Sequence, residues 1–276
     1  MKDPSRNPAA DRLPITHDLT LAYALSLIIA LLMAGASVFG LLYRDIIYPT
    51  EELRRWFVTN DALNLVAGLP LLLGSMGLAR RGNLIGLLCW PGALFYVLYV
   101  YLAYTLSVPF GVLFLPYLLL VSLSACTLIG LVASVDGEAV RQRLSGSVPA
   151  RVSGGILVGL AILIIARQTA LIITALTSQA QVSAGELAIW IDDFVVACPA
   201  LLVVGVQLWR RRALGYVGGA GLFLAYGVLA IGLIPGMISA SPIDVGGIIV
   251  VLVMAAVCLA PFAFFVRGAV SYRGPS

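Results

Sequence analysis

Charged side chains are scarce in this sequence, and chemistry that depends on histidine or paired cysteine has few residues to use. Only 11% of the 276 residues are charged, whereas a soluble domain has about 25%. The single histidine, His17, lies in a polar N-terminal stretch, and the four cysteines stand far apart without a C-x-x-C pair. A zinc or haem site is therefore not expected, and we predict no cofactor and no metal.

Catalytic signatures are missing as well. The sequence has no Walker phosphate-binding loop, no G-x-S-x-G and no H-E-x-x-H. Because 61% of the residues are hydrophobic, the composition predicts a membrane protein, and an enzyme is the less favoured class. The lipid bilayer is the expected partner and nucleic acid is not, while the oligomeric state stays open.

Long apolar runs dominate what is present. Eight of them approach the roughly 20 residues that cross a bilayer core as a helix, and they cover residues 21–43, 61–79, 84–105, 110–134, 154–176, 187–208, 214–235 and 244–266. Continuous apolar runs without alternation exclude a transmembrane barrel. We therefore predict an all-α bundle of about eight transmembrane helices. Seven or nine are the alternatives, because the connection near Pro109 is short.

The predicted membrane domain spans residues 21–267, between polar tails at 1–20 and 268–276. The N-terminal tail, the first apolar run and the stretch Ala34-Gly35-Ala36 together resemble a cleavable signal peptide. The apolar run continues to Tyr43, however, and cleavage would remove a partner of the remaining helices. A retained first helix is the favoured interpretation.

Basic residues orient the predicted helices. Of the 17 lysines and arginines, 13 fall in segments 1–20, 80–83, 136–153, 209–213 and 267–276, which share one side of the membrane if the helix number is even. Basic residues concentrate on the cytoplasmic side of membrane proteins. The sequence therefore predicts that both termini are cytoplasmic.

Polar side chains inside the spans are the candidates for function, because charge at membrane depth is costly and normally faces the bundle interior or water. They open the second span, lie two turns into the sixth, and occur in the outer halves of the third and fifth. The candidate ligand-binding residues are Asn60, Asp61, Asn64, Tyr96, Tyr99, Arg167, Gln168, Asp192 and Asp193. Tyr104 is nearer to the predicted outer surface and fits an aromatic belt instead.

Arg167 is expected to form an ion pair with Asp192 or Asp193, because a rise of about 1.5 Å per residue brings all three within reach of one another. In one interpretation this pair is a structural staple between the fifth and sixth helices. In the other, the second aspartate is left free to bind a cation or a proton.

The segment 44–60 is predicted to carry a short interfacial helix on the outer side. Thr50 followed by Glu51 and Glu52 is typical of a helix start, with a capping hydroxyl and acids in the first turn. Such a helix could be a plain surface anchor or a lid over the polar residues.

A spacing of 129 residues relates two parts of the chain without a gap. It matches Asn64 with Asp193, Pro70 with Pro199, Arg81 with Arg210, Gly86 with Gly215, and Gly92 with Gly221. The match predicts a possible 4+4 parallel repeat, a construction known in transporters, in which the second and sixth spans form two faces of one site. Chance recurrence is the alternative, because glycine and arginine are frequent in this chain.

Two stretches of the sequence carry a resemblance to a known family: NDALNLVAGLPLLLGSMGLARRGNLIGLLCWPGALFYVLYVYLAY and WIDDFVVACPALLVVGVQLWRRRALGYVGG. They are similar to an uncharacterised family of prokaryotic multi-pass membrane proteins without a known activity. The resemblance implies a location in the prokaryotic plasma (inner) membrane, and it implies nothing about a substrate.

The leading functional prediction is binding or transport of a small cationic or proton-coupled solute through an outward-facing polar site. A membrane sensor or an assembly subunit without transport is the alternative. A lipid-acting membrane enzyme ranks third, because carboxylates and tyrosines can act as acid and base without a motif.

Labelling of intact cells checks the predicted topology. Tags within 1–20, 136–153 and 267–276 should all be protected from a membrane-impermeant reagent, because all three segments are predicted to be cytoplasmic. Labelling of the C-terminal tag from outside would contradict the even helix number.

Overall fold

The computed structural model describes residues 13–238 and 245–271, so residues 1–12 and 272–276 of the predicted tails lie outside it. Its helices are α1 (Thr20–Leu42), α2 (Arg44–Ile47), α3 (Glu51–Leu63), α4 (Leu69–Arg80), α5 (Leu84–Ser107), α6 (Phe114–Ala133), α7 (Gly137–Leu144), α8 (Ala150–Ser178), α9 (Ala184–Asp192), α10 (Cys198–Trp209), α11 (Ala213–Ile238) and α12 (Val245–Ser271). Two π-helical turns, π1 (Asn64–Gly68) and π2 (Asp193–Ala197), join α3 to α4 and α9 to α10.

Eight helical stretches of the described residues are long and apolar enough to cross a membrane, which confirms the predicted all-α bundle. Two of these spans are composite: α3, π1 and α4 form the second, and α9, π2 and α10 form the sixth. The separate interfacial helix predicted within 44–60 is instead the beginning of the second span. Thr50 does cap a helix, since its hydroxyl accepts from Leu53 N–H at 3.2 Å, but that helix continues into the membrane stretch without a break.

The two π turns precede Pro70 and Pro199, and proline explains their position. A proline has no N–H to donate to the carbonyl four residues back, and its ring crowds that carbonyl. The helix widens before each proline, and the amide after each turn bonds to the carbonyl of Asn64 or Asp193, five residues back. The extra residue in each turn rotates the side chains before it relative to those after it.

Helix α5 lies at the centre of the bundle. About 83% of the apolar 18-residue stretch of α5 is buried inside the bundle. The corresponding share is 61% for α11 and at most 39% for every other span of the described chain. It packs against α4, α6, α9 and α11. The crossing with α11 is close, because a Cβ atom added to Gly92 would overlap the backbone of Gly221. Two glycines therefore let these backbones touch, as small residues commonly do between membrane helices.

Several features of the fold follow the 129-residue spacing. The π turns begin at Asn64 and Asp193, and Gly92 meets its own counterpart Gly221 at the α5–α11 crossing. Helix pairs also correspond: α4–α5 with α10–α11, α5–α6 with α11–α12, and α5–α9 with α11–α3. These contacts agree with a pseudo-twofold axis through the glycine crossing. The parallel repeat itself stays a prediction.

The connections gather at two ends of the bundle. The arginine-rich end contains residues 80–83, 134–149 and 209–212. At this end Thr16 N–H donates to Ser134 O at 2.9 Å, so the described part of the N-terminal tail is attached to the end of α6. Helix α7 packs against α11 and α12 nearby. Which side of the membrane this end faces stays a prediction.

Substitution at the glycine crossing tests how closely α5 and α11 must pack. Gly92→Ala places a methyl group against the Gly221 backbone, and overpacking of this kind costs typically about 1–3 kcal/mol. Gly74 on α4 has open space around its Cβ position, so Gly74→Ala should be neutral or slightly stabilising. Thermal unfolding of the detergent-purified variants compares the two, and equal melting temperatures would contradict the constraint.

Candidate functional site

The buried polar side chains of the spans gather into two clusters, and α5 contributes to both. The Asp61 cluster consists of Ser37, Tyr48, Asp61, Asn64, Tyr96, Tyr101 and Tyr104. The Asp193 cluster consists of Tyr99, Gln168, Asp192 and Asp193. In the described part of the chain no hydrogen bond joins one cluster to the other. The predicted single site is therefore two separate clusters, and each cluster contains at least one tyrosine of α5.

Asp61 is buried, and tyrosine hydroxyls satisfy both of its oxygens. Tyr48 OH donates to Oδ2 at 2.7 Å, and Tyr104 OH donates to Oδ1 at 3.0 Å. Tyr104 is therefore a partner of Asp61. Because it is also fully buried, the predicted aromatic-belt role is wrong. Each carboxylate oxygen has a donor, which is the arrangement that makes a buried acid tolerable.

Asn64, the first residue of π1, is satisfied in the same way. Its Oδ1 accepts from Tyr96 OH at 2.9 Å, and its Nδ2 donates to Ser37 Oγ and Tyr101 OH, both at 3.3 Å. The Asp61 cluster thus joins α1, the second span and α5 by hydrogen bonds. Glycines allow this close approach, since a Cβ at Gly68 would press against the Tyr96 ring.

The second cluster is built around Asp193, the first residue of π2. Tyr99 OH donates to its Oδ1 at 2.9 Å, and the Gln168 amide donates to its Oδ2. Gln168 is itself buried on α8, so the cluster ties α8, the sixth span and α5 together. Asp193 and Asn64 are equivalent under the 129-residue spacing, and each bonds to a tyrosine of α5.

Asp192 differs from the other acids in the described part of the spans. Its side chain is 0% exposed, and neither of its oxygens has a hydrogen-bond partner within the described residues. The hydroxyl of Tyr226 on α11 is also buried without a partner there. Tyr226 and Tyr99 both pack against Phe95, and both lie within electrostatic range of Asp192. Two buried groups without a described partner, Asp192 and Tyr226, are therefore found close to the satisfied Asp193 carboxylate.

The predicted ion pair of Arg167 with Asp192 or Asp193 is not formed. Among the described residues no carboxylate lies within 4.0 Å of the Arg167 guanidinium, whose Nη1 donates to Gln168 Oε1 at 3.4 Å. Successive residues of a helix point about 100° apart. On α8 the inward direction belongs to Gln168, and Arg167 is exposed on the outer face of the bundle.

Asn60 is the other predicted site residue that joins neither cluster. It is half-buried, one turn before Asn64, and within the described chain it makes no side-chain hydrogen bond to either group. The described residues also contain no group of three or more His, Cys, Asp or Glu side chains that could hold a metal ion.

Sequence reasoning missed four members of the two clusters, Ser37, Tyr48, Tyr101 and Tyr104, and it also missed Tyr226. An available signal was that tyrosine is frequent in α5, where an interfacial position explains only those near the helix end. A buried tyrosine hydroxyl needs a partner, so each deep tyrosine indicated a buried acceptor.

The acids and amides of both clusters are buried, which differs from the predicted outward-facing site. Their carboxylates and amides are at most 6% exposed. A cavity of about 250 Å³ lies near Pro109 and Tyr117, and neither Asp61 nor Asp192 lines it. The structure therefore describes a closed arrangement of these carboxylates and amides.

Comparison with protein-family models, with curated proteins and with solved structures finds no match to this chain. The fold and the clusters define its class: a multi-pass helical bundle of membrane-spanning character with acidic residues buried among tyrosines. Everything more specific depends on the geometry of these residues.

Replacing the two neighbours on α8 tests which of them supports Asp193. Gln168→Leu should lower the free energy of unfolding by about 1–3 kcal/mol, because Asp193 loses a buried donor. Arg167→Leu should lower it less than Gln168→Leu does, because the Arg167 guanidinium is exposed and acts on Asp193 only at longer range, without an ion pair. Chemical unfolding in detergent measures both variants, and a larger loss for Arg167→Leu would restore the ion-pair hypothesis.

Proposed function

We propose that this protein binds a proton or a small cation at Asp192 and uses it in carrying a small solute across the prokaryotic plasma membrane. The supporting observation is the Asp192 carboxyl, which is fully buried and has no hydrogen-bond partner among the described residues. An acid whose burial stabilises no evident part of the structure is a candidate for function.

The energetics of burial identify what Asp192 needs. An ionised carboxylate without donors is very costly away from water, so binding of a proton or a cation would stabilise this group. Asp61 and Asp193 do not have this need, because two donors bond to each of them. Tyr226, whose hydroxyl also has no described partner, could complete the coordination from α11.

Movement between the two halves would give access to Asp192. The α5–α11 crossing is a contact between small residues, Gly92 and Gly221, with no side chain interlocked at that point. The π turns before Pro70 and Pro199 interrupt the regular hydrogen bonding of the second and sixth spans next to the clusters. Interrupted helices at the midplane are a common construction of secondary transporters.

A scaffold without transport is the second candidate, and the Asp61 cluster favours it. That cluster is satisfied at both the carboxylate and the amide, and it joins three spans. A network of this kind stabilises one arrangement of helices and leaves no atom for a ligand. It explains Asp61 and Asn64 but does not explain Asp192.

Two isosteric substitutions test the proposed function. If the site holds a proton, Asp192→Asn should remove the infrared carbonyl band of a protonated carboxyl. If the site holds a cation, the same substitution should abolish the stabilisation that alkali-metal or alkylammonium chlorides give to the unmodified protein. It should keep or raise the melting temperature, because it removes a buried acid that has no donor. Asp61→Asn is the matched control, since this acid is equally buried but satisfied.

The two variants give opposite expectations for stability. Asp61→Asn puts an amide NH₂ group against a tyrosine hydroxyl that donated to Asp61, so its melting temperature should fall while binding survives. If Asp192→Asn changes neither the carboxyl band nor the effect of any cation, the scaffold is the better account.

A further inference from the structure

A groove runs along the outer face of α10 to the arginine-rich end, and no residue of the two clusters lines it. Its volume is about 350 Å³, and its lining divides into an apolar part and a polar part. Leu202, Val203 and Val206 form the apolar part, and Val203 is 52% exposed. Gln207, Arg210 and Arg212 line the polar part.

The charges at this groove are not neutralised by the protein. None of the arginines at positions 210–212 forms an ion pair with a carboxylate of the described residues. Another arginine at the same end is paired: Arg141 Nε donates to Glu138 at 2.9 Å, and this bond lowers the pKa of the Glu138 carboxyl. The arginine cluster at the groove is therefore free to bind an anion.

The turn after α10 separates the three guanidinium groups. Arg211 has a left-handed backbone with φ of 56°, a conformation that non-glycine residues adopt at a cost. At the equivalent position 129 residues earlier the chain has Gly82, with φ of 79°. Arg211 lies within electrostatic range of Tyr216 on α11, while Arg210 and Arg212 line the groove.

Gln207 adds an unsatisfied polar atom between the apolar and charged parts. Its side-chain Oε1 is buried and has no hydrogen-bond partner within the described chain. The amide lies one turn before Arg210, where the head group of a lipid would pass. A head-group hydroxyl could donate to this oxygen.

We propose that this groove is a binding site for one anionic phospholipid. The phosphate would bind Arg210 and Arg212, whose planar guanidinium groups suit phosphate oxygens, and an acyl chain would lie along Leu202, Val203 and Val206. Basic pockets beside membrane helices bind anionic head groups in this way. The apolar part, open to the hydrocarbon, selects a lipid as the source of the phosphate.

Trp209 supplies a reporter at the site, since it is 51% exposed and adjoins Arg210. The protein is reconstituted in phosphatidylcholine vesicles, and phosphatidylglycerol with brominated acyl chains is added at increasing mole fraction. Bromine quenches tryptophan on contact, so quenching should begin at lower mole fraction than with brominated phosphatidylcholine. Trp209→Phe identifies the share of the signal that comes from this position.

Two double variants separate a specific site from general surface charge. Arg210→Gln with Arg212→Gln should raise the mole fraction for half-quenching of Trp209 by on the order of tenfold. Arg80→Gln with Arg81→Gln removes the same charge from the end of α4 and the turn that follows it, and should leave the Trp209 response unchanged. Equal quenching by both brominated lipids, or equal losses in both double variants, would overturn the proposal.

Discussion

The need of every buried polar group for a partner is the constraint on which this structure depends. In hydrocarbon, apolar side chains pack against lipid as well as against other helices, so apolar contact alone orients a helix weakly. Buried acids and amides are more demanding. Asp61, Asn64 and Asp193 each bond to tyrosines of α5, and these bonds set how the second and sixth spans face the central helix.

Close packing by glycine makes those bonds possible. Gly68 leaves room for the Tyr96 ring beside π1, and Gly92 lets α5 and α11 cross with their backbones in contact. A bulkier residue at either position would overlap the Tyr96 ring or the Gly221 backbone, so α5 or its partner would have to shift. Small residues and polar clusters are therefore parts of one arrangement.

The difference between Asp61 and Asp192 connects this arrangement to function. A satisfied cluster stabilises a single packing of helices, whereas an unsatisfied buried acid raises the energy of the state in which it is left alone. Natural proteins keep such local conflicts mainly at functional sites. The sixth span combines both kinds of acid in adjacent residues, Asp192 and Asp193, on neighbouring faces of the helix.

The sequence by itself determined the eight spans of the described chain and the cap at Thr50, because hydropathy and capping act locally along the chain. It predicted one outward-facing site, and the tertiary structure divides seven of the predicted residues between two buried clusters: Asp61, Asn64, Tyr96, Tyr99, Gln168, Asp192 and Asp193. Only the tertiary structure decided the partners. Helices 64 residues apart in sequence, such as those of Ser37 and Tyr101, meet through rotations that no local pattern encodes. The same rotations direct Gln168 towards Asp193 and Arg167 away from it, because adjacent helical residues diverge by about 100°.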